Sequence, residues 1–482
     1  MRVCLATVHH NPSFTPLALL YLKAYLVEHD GVAADAITVL EFTPDDKTET
    51  IADRILATQP DIVGLSCYVW NIRTLTAAAT LIKDRDASIQ IVVGGPEVGP
   101  VAKDVFARTR AFDVIVTSEG EIPLSRLVAA RREHAPLETV DGIVFRRGDE
   151  IVATADAAIV QDLNQLPSPH RPGYMDGHTS TRIVCLETQR GCVFRCNFCF
   201  YNKDFSIRNR RFDLDRVKHE IAYWLERDVE WIYLMDPIFN LNAERAKEIC
   251  RFVIEHNHRR IKFHSEVWAE FFDDELARLM KEANFQFLEV GLQSTDDTAL
   301  ATVERRLKMQ KFVDGIEHLK RYQVPFEIQL IYGLPGDTIA TFKKSLNFAA
   351  SLNTKWLAVF PLQVLPGTEL WHKAGTLQID FEREPPYALR SHYSMTEADM
   401  AYGHRVIKAL QLLGDSRTLR FLAKERGITF AEIVDEWMEW CEQQQAFAPP
   451  DPNPKQFVAE YCDRNGIPPA FFQHFASWEF SG

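Results

Sequence analysis

Gly191-Cys192-Val193-Phe194-Arg195-Cys196-Asn197-Phe198-Cys199 decides how this chain is read, and it follows directly on an apolar strand candidate, Ile183–Glu187. With nine cysteines in 482 residues, the chance that both cysteine spacings arise by accident is about 0.003. Three thiols converging from one loop suit a metal ion or an iron–sulfur cluster. A structural zinc site takes four protein ligands, often as paired knuckles; no second pair follows here, and Cys185 falls on the preceding strand. A four-iron cluster held by three cysteines leaves one iron open to an outside ligand, which is a catalytic arrangement. Zinc, and a loop that has lost its metal, are the alternatives. The other six cysteines, Cys4, Cys67, Cys185, Cys250, Cys441 and Cys462, are scattered and read as small buried hydrophobes, not as a disulfide framework.

Around this loop the chain alternates apolar strands with helix-length segments. From residue 182 to 372, strand candidates are Ile183–Glu187, Trp231–Met235, Lys262–Trp268, Phe287–Leu292, Phe326–Ile331 and Trp356–Val364. Six such units are too few for a closed eight-unit barrel and predict a partial (β/α)6 TIM-type barrel, with active residues at the strand carboxyl ends. Residues 1–150 read as a separate doubly wound parallel sheet of flavodoxin-like type. Its strands are Arg2–Thr7, Asp61–Ser66, Gln90–Val93 and Asp113–Val116; Pro16–Val27 reads as an amphipathic helix and a second helix runs through Leu81 and Ile82. Ligands of such sheets sit at the carboxyl ends, which here carry His9, His10, Ser66, Tyr68, Trp70, Asn71, Gly94, Gly95, Gly120 and Glu121. Residues 140–153 predict a β-hairpin with a Gly-Asp turn, and 151–181 contain a proline-rich linker. Residues 373–482 form a mostly helical segment, with Glu397–Leu413 and Phe430–Gln445 as helices and Ala448–Pro454 as a break. The tail aromatics Trp437, Trp440, Phe447, Phe471, Phe472 and Trp478 read as core more readily than as a substrate pocket.

Composition narrows the function classes. Hydrophobic residues at 46% and charged residues at 25% are those of a soluble globular protein. With 54 Lys plus Arg against 67 Asp plus Glu, the formal charge is −13, which weighs against nucleic acid or an anionic membrane as main partner. No apolar run approaches the ~18 residues of a membrane span. The first residues lack a signal-peptide pattern, so the chain reads as cytoplasmic.

CxxxCxxC with Phe198 just before the last cysteine, at the end of a barrel's first strand, resembles the radical S-adenosylmethionine (SAM) superfamily. The resemblance implies a [4Fe-4S] cluster on Cys192, Cys196 and Cys199, whose open iron chelates SAM so that an electron cleaves it to a 5′-deoxyadenosyl radical. It places Phe198 near the adenine, Asp236 at the SAM amino group, Glu266 at the third strand end, and Gln293 and Ser294 at the ribose or carboxylate. Gly333, in Ile331–Gly336, lies along the adenine, and Pro361–Thr368 resembles the sixth strand end. The first domain resembles the cobalamin-binding domain of cobalamin-dependent radical SAM enzymes. The carrying residues are Ser66, Tyr68, Trp70 and Asn71, then Gly94-Gly95-Pro96-Glu97, then Gly120 and Glu121 in Ser118–Glu121. An Asp-x-His-x-x-Gly loop is missing: Asp176-Gly177-His178 lacks the glycine and lies in the linker. The resemblance therefore implies base-off cobalamin without a protein histidine on cobalt, with Trp70 or Asn71 near the lower face.

The implied activity is that of a class B methyltransferase-like enzyme. The radical abstracts hydrogen from a small-molecule or peptide substrate, methylcobalamin delivers a methyl group to an unactivated carbon, and a second SAM restores the methyl donor. A flavodoxin- or ferredoxin-type protein would supply electrons. Non-methylating cyclisation, as in anaerobic magnesium-protoporphyrin cyclases, and rearrangement are the alternatives within the architecture. From another class comes a non-catalytic cobalamin-binding sensor, against which the intact cysteine triad argues. A tRNA methylthiotransferase is disfavoured because residues 1–150 hold only Cys4 and Cys67 and the tail is not basic.

Overall fold

A computed structural model describes all residues except 12, 175–182, 203–208, 414–415, 444–453 and 469–482. Strands β1 (Val3–Val8), β2 (Ile37–Phe42), β3 (Ile62–Ser66), β4 (Gln90–Gly94) and β5 (Val114–Val116) lie parallel in the order β2-β1-β3-β4-β5. This is the flavodoxin-like order. The hairpin β6 (Ile143–Arg147) and β7 (Glu150–Ala153) turns at Gly148-Asp149 and extends the sheet antiparallel beyond β5. All six residues of the central β1 are buried, which is why it reads as an unbroken apolar run. Edge strand β2 escapes a sequence reading because Thr38 and Glu41 interrupt its apolar pattern and only its two end residues are buried.

Helix α1 (Leu17–Glu28) corrects one expectation: it is not amphipathic but apolar on both sides. Leu19 and Leu26 join the core of the first sheet, while Leu17, Tyr21 and Tyr25 join the core of the second domain. A helix buried on opposite faces loses its polar stripe.

The second domain has six parallel strands in chain order: β8 (Ile183–Leu186), β9 (Trp231–Leu234), β10 (Lys262–Val267), β11 (Phe285–Gln293), β12 (Phe326–Tyr332) and β13 (Trp356–Pro361). The sheet is open between β8 and β13. Period-2 alternation sorts its two faces: Leu288, Val290 and Leu292 are buried in the apolar core, while Glu289, Gly291 and Gln293 share the opposite, half-buried face. Edge strand β8 is covered by the first domain, since Phe14 bridges to Ile183 and the Cys185 N–H donates to Thr15 Oγ1 at 3.0 Å.

The segment read as a linker packs tightly before residue 175. Leu163 and Leu166 are buried in the second-domain core, and their carbonyls accept from Arg216 of the helix Leu214–Leu225. The C-terminal part is helical at Glu397–Leu413, Arg417–Arg426, Phe430–Gln443 and Pro454–Asn465. Trp437 and Trp440 are core residues whose indole N–H groups donate to the Ala409 carbonyl and to Glu460, both at 2.8 Å. Phe447, Phe471, Phe472, Trp478, Asp176 and His178 lie outside the described residues. Among the described residues no helix is long and apolar enough to cross a membrane.

Candidate active site

The three cysteines project from the loop that follows β8. Its neck is closed by the two-residue strands Gln189–Arg190 and Arg210–Arg211, paired antiparallel. At φ +87° Gly191 supplies a left-handed turn that glycine adopts without strain. The Cys199 N–H donates to the Cys196 carbonyl at 3.0 Å, and Asn197 pins the loop from inside. Its backbone N–H donates to the Val303 carbonyl at 3.0 Å, its side chain to the Thr302 carbonyl at 2.7 Å, and its own carbonyl accepts from the Leu370 N–H at 2.9 Å. Phe194 stacks on Trp268 at 4.0 Å, and the Arg305 guanidinium also lies over that indole at 4.3 Å. Nη1 of Arg305 is 3.8 Å from the Cys196 sulfur.

Burial pushes the Cys199 thiol up to about 12 and raises Cys192, where the nearby Arg305 charge acts in the opposite direction. Such thiols keep their protons until a metal centre displaces them. Among the described residues no three His, Cys, Asp or Glu side chains gather around a single ion position. A closed structural zinc site takes four protein ligands, whereas a four-iron cluster takes one thiolate per iron and can leave one iron to an outside ligand. Cys185 stays back in β8, buried in the sheet. The donor set therefore fits a three-cysteine cluster better than a closed zinc site.

The shared face of β9–β12 is polar. Tyr233 donates to Glu266 at 3.3 Å and stacks on His264 at 4.0 Å; Glu289 pairs with His264 at 2.7 Å and accepts from Gln329 at 2.7 Å. Burial, reinforced by Glu289, pushes Glu266 up to about 8. Phe198 is half-buried and packs against the second-domain core. Gln293 adopts φ +70° at a bulge in the β11–β12 register and stays half-buried. Gly333, at φ +89°, closes β12 beneath Leu389 and Met400.

Two second-domain residues expected at SAM are occupied by protein. Asp236 is fully buried and accepts from the Thr188 N–H at 2.7 Å, the Thr188 hydroxyl at 2.5 Å and the Gln189 N–H at 3.1 Å, so it holds the turn into the loop neck. Burial pushes its carboxyl up to about 7 despite these bonds. Fully buried Ser294 lies 3.3 Å from Asp337 and accepts from the Asp296 N–H at 3.1 Å.

In the first domain the same sorting occurs. Asn71 has no exposed surface: it donates to Thr7 Oγ1 and to the Val8 and Ser66 carbonyls, and accepts from the Tyr68 N–H. It thus ties β1 to β3 from within the fold. Glu97 is buried and accepts from the Tyr387 hydroxyl; burial pushes it up to about 7. Glu121 is buried and pairs with Arg190 at 2.8 Å. Left along the carboxyl edge are Ser66, Tyr68, Gly94, Gly95, Pro96 and Gly120, all half-buried, and Trp70, 50% exposed and stacked on Tyr68 at 4.5 Å. Gly95 has φ +112°, and a Cβ there would lie 2.5 Å from the Cys67 carbonyl oxygen. His9 is paired with Glu41 at 2.6 Å, and His10 lies 6.0 Å from the Trp70 ring.

Arg305, Trp268, Asn197, Arg190 and Arg210 are the site residues that sequence reasoning missed. Arg190 and Asn197 flank or fill the cysteine motif, yet their partners lie far off in sequence, so no local spacing singles them out.

Two family models match this chain: the B12 binding domain over residues 3–128 and the Radical SAM superfamily over residues 186–349. The chain joins a B12-binding domain to a radical SAM domain, and this pairing defines its class. It is similar to the cobalamin-dependent radical SAM methyltransferase TokK of Streptomyces tokunonensis, 28% identical over 378 residues, which cover 74% of this chain and 54% of TokK. It is also similar to the 2-(S-pantetheinyl)-carbapenam-3-carboxylate methyltransferase of Streptantibioticus cattleyicolor, 29% identical over 384 residues, again 74% and 54% of the two chains. The chain thus spans about half the length of these relatives. Its fold matches the solved structure of the cobalamin-dependent SAM radical enzyme OxsB with aqua-cobalamin bound. The TM-score is 0.71 at 14% identity, covering 97% of this chain and 76% of that one.

Proposed function

We propose that this chain is a cobalamin-dependent radical SAM enzyme that transfers a methyl group to an unactivated carbon of a small-molecule or peptide substrate. One observation carries the reading: the neck of the three-cysteine loop follows the carboxyl end of β8 and is tied to the carboxyl end of β5 by the Arg190–Glu121 pair at 2.8 Å. When bound, a [4Fe-4S] cluster supplies the electron that cleaves SAM, and cobalamin carries the methyl group.

The chain's own residues do the holding. Cys192, Cys196 and Cys199 would ligate the cluster, and Arg305 would face it as a fixed positive charge. Phe198, Gln293 and Gly333 would border the nucleotide, as would Glu266, whose carboxyl burial pushes up to about 8. On the other side Ser66, Tyr68, Trp70, Gly94, Gly95, Pro96 and Gly120 would border the corrin, the glycines letting it approach the backbone. A flavodoxin- or ferredoxin-type donor and a cytoplasmic setting belong to the same proposal.

Anaerobic reconstitution with iron, sulfide, SAM, a strong reductant and hydroxocobalamin, whose reduced cobalt can accept the SAM methyl group, tests it. The expected products are 5′-deoxyadenosine and S-adenosylhomocysteine, lost together in Cys192→Ala, Cys196→Ala and Cys199→Ala. Formation of neither by the parent protein overturns the reading. 5′-Deoxyadenosine without S-adenosylhomocysteine selects the non-methylating alternative.

A further inference from the structure

We propose that Glu119 and Glu121 of the first domain are positioning residues for the cysteine loop of the second. The inference rests on reading that loop as the cluster site. At the base of the cysteine loop Arg190 and Arg210 face each other in antiparallel register. Both arginines are tied across the domain boundary to the carboxyl end of β5.

Arg210 grips Glu119 with both terminal nitrogens, Nη1 to Oε2 at 3.0 Å and Nη2 to Oε1, and donates from Nη1 to the Val160 carbonyl at 2.6 Å. Arg190 donates from Nη1 to Glu121 at 2.8 Å, lies 3.8 Å from Glu119, and donates from Nε to Glu187 at 2.9 Å. Its guanidinium covers the Tyr21 ring of α1 at 4.7 Å. The side chains of Arg190, Arg210, Glu119 and Glu121 are all at least 88% buried. A guanidinium shielded from water is strongly disfavoured without its carboxylate, and the fork geometry fixes its orientation as well as its distance. The neck therefore takes its shape only with the β5 carboxyl end seated against it. Glu119 and Glu121 flank Gly120, so a ligand that moves this turn also moves the base of the cysteine loop, and the coupling is reciprocal.

The test uses the full chain, reconstituted anaerobically with iron and sulfide and then challenged with an excess of iron chelator. In Glu121→Gln, where Arg190 keeps Glu187, the half-life of the cluster absorbance is expected to fall at least threefold and the EPR signal of the reduced cluster to broaden. Glu121→Asp, which keeps the charge, is expected to stay within threefold of the parent. Glu119→Gln, where it folds by circular dichroism, is expected to shorten the half-life further. A half-life in Glu121→Gln within threefold of the parent overturns the proposal. Should the parent bind no iron, the cluster reading fails by itself, and the metal-free loop decides the positioning role: maleimide labelling of half-buried Cys192 is expected to quicken at least threefold in Glu121→Gln, and a smaller change overturns it.

Discussion

The Arg305 guanidinium stands between Cys196 and Trp268, 3.8 Å from the sulfur of one and 4.3 Å above the indole of the other. One buried cation thus joins the cysteine loop to the aromatic shelf after β10, and its Nη2 donates to the Gly291 carbonyl at 2.5 Å where β11 bulges. Arg305→Met is expected to lower unfolding free energy by about 2 kcal/mol, the range of one charge-assisted hydrogen bond plus a cation–π contact. Arg305→Lys keeps the charge but loses the planar fork and should recover under half of that. Denaturant melts of the metal-free proteins measure both, and iron content after reconstitution should fall in the same order.

Asp236 makes stability depend on pH. Its folded-state carboxyl titrates at about 7 because burial opposes ionisation, against 3.8 ordinarily. The folded chain therefore holds this proton where the unfolded chain has released it. Its contribution is intact below pH 4, is lost as pH rises toward 7, and is absent above. Asp236→Asn offers the same oxygen to the Thr188 and Gln189 N–H groups. It should flatten the fall in unfolding free energy between pH 5 and pH 8 by about 3 kcal/mol, two units at about 1.4 kcal/mol each. An unchanged slope would remove Asp236 as the source.

Trp70 separates binding from folding. It is 50% exposed, stacked on Tyr68, and donates to the Val8 carbonyl at 3.1 Å. Trp70→Ala is expected to cost under about 1 kcal/mol of stability, the worth of one exposed hydrogen bond. Hydroxocobalamin affinity should fall about tenfold, a loss equivalent to roughly 1.4 kcal/mol. Spectroscopic titration checks the affinity and thermal melting checks the fold.

Gly403 shows that the helix Glu397–Leu413 packs into the second-domain core and is not an appendage. A Cβ there would lie 1.9 Å from the ring of Tyr332, the last residue of β12. Gly403→Ala is expected to destabilise by about 1–3 kcal/mol through overpacking, measurable in a denaturant melt.

Much of the architecture was legible in the chain. Five of the six second-domain strands were foreseen to within about two residues at both ends, because apolar runs such as Phe326–Ile331 are bounded by helix-length spacers. β13 ends three residues before the foreseen limit. Strand β2 was not, since an edge strand with Thr38 and Glu41 lacks a continuous apolar signature. Helix α1 reads as amphipathic in sequence yet is apolar on two sides, because a pattern of apolar residues does not say how many cores will claim them.

The site divides along a similar line. Sequence alone determined the cysteine spacing, the glycines at strand ends and the succession of strands, since these are local properties of neighbouring residues. Only the tertiary structure decided which strand-end polar groups face open space and which are consumed. Glu97 meets Tyr387 across 290 residues, Glu121 meets Arg190 across 69, and Asp236 meets Thr188 across 48. A carboxylate's role depends on whether a donor reaches it once the chain is folded. Periodicity and spacing place the carboxylate at a strand end; the folded packing supplies the donor that braces it there.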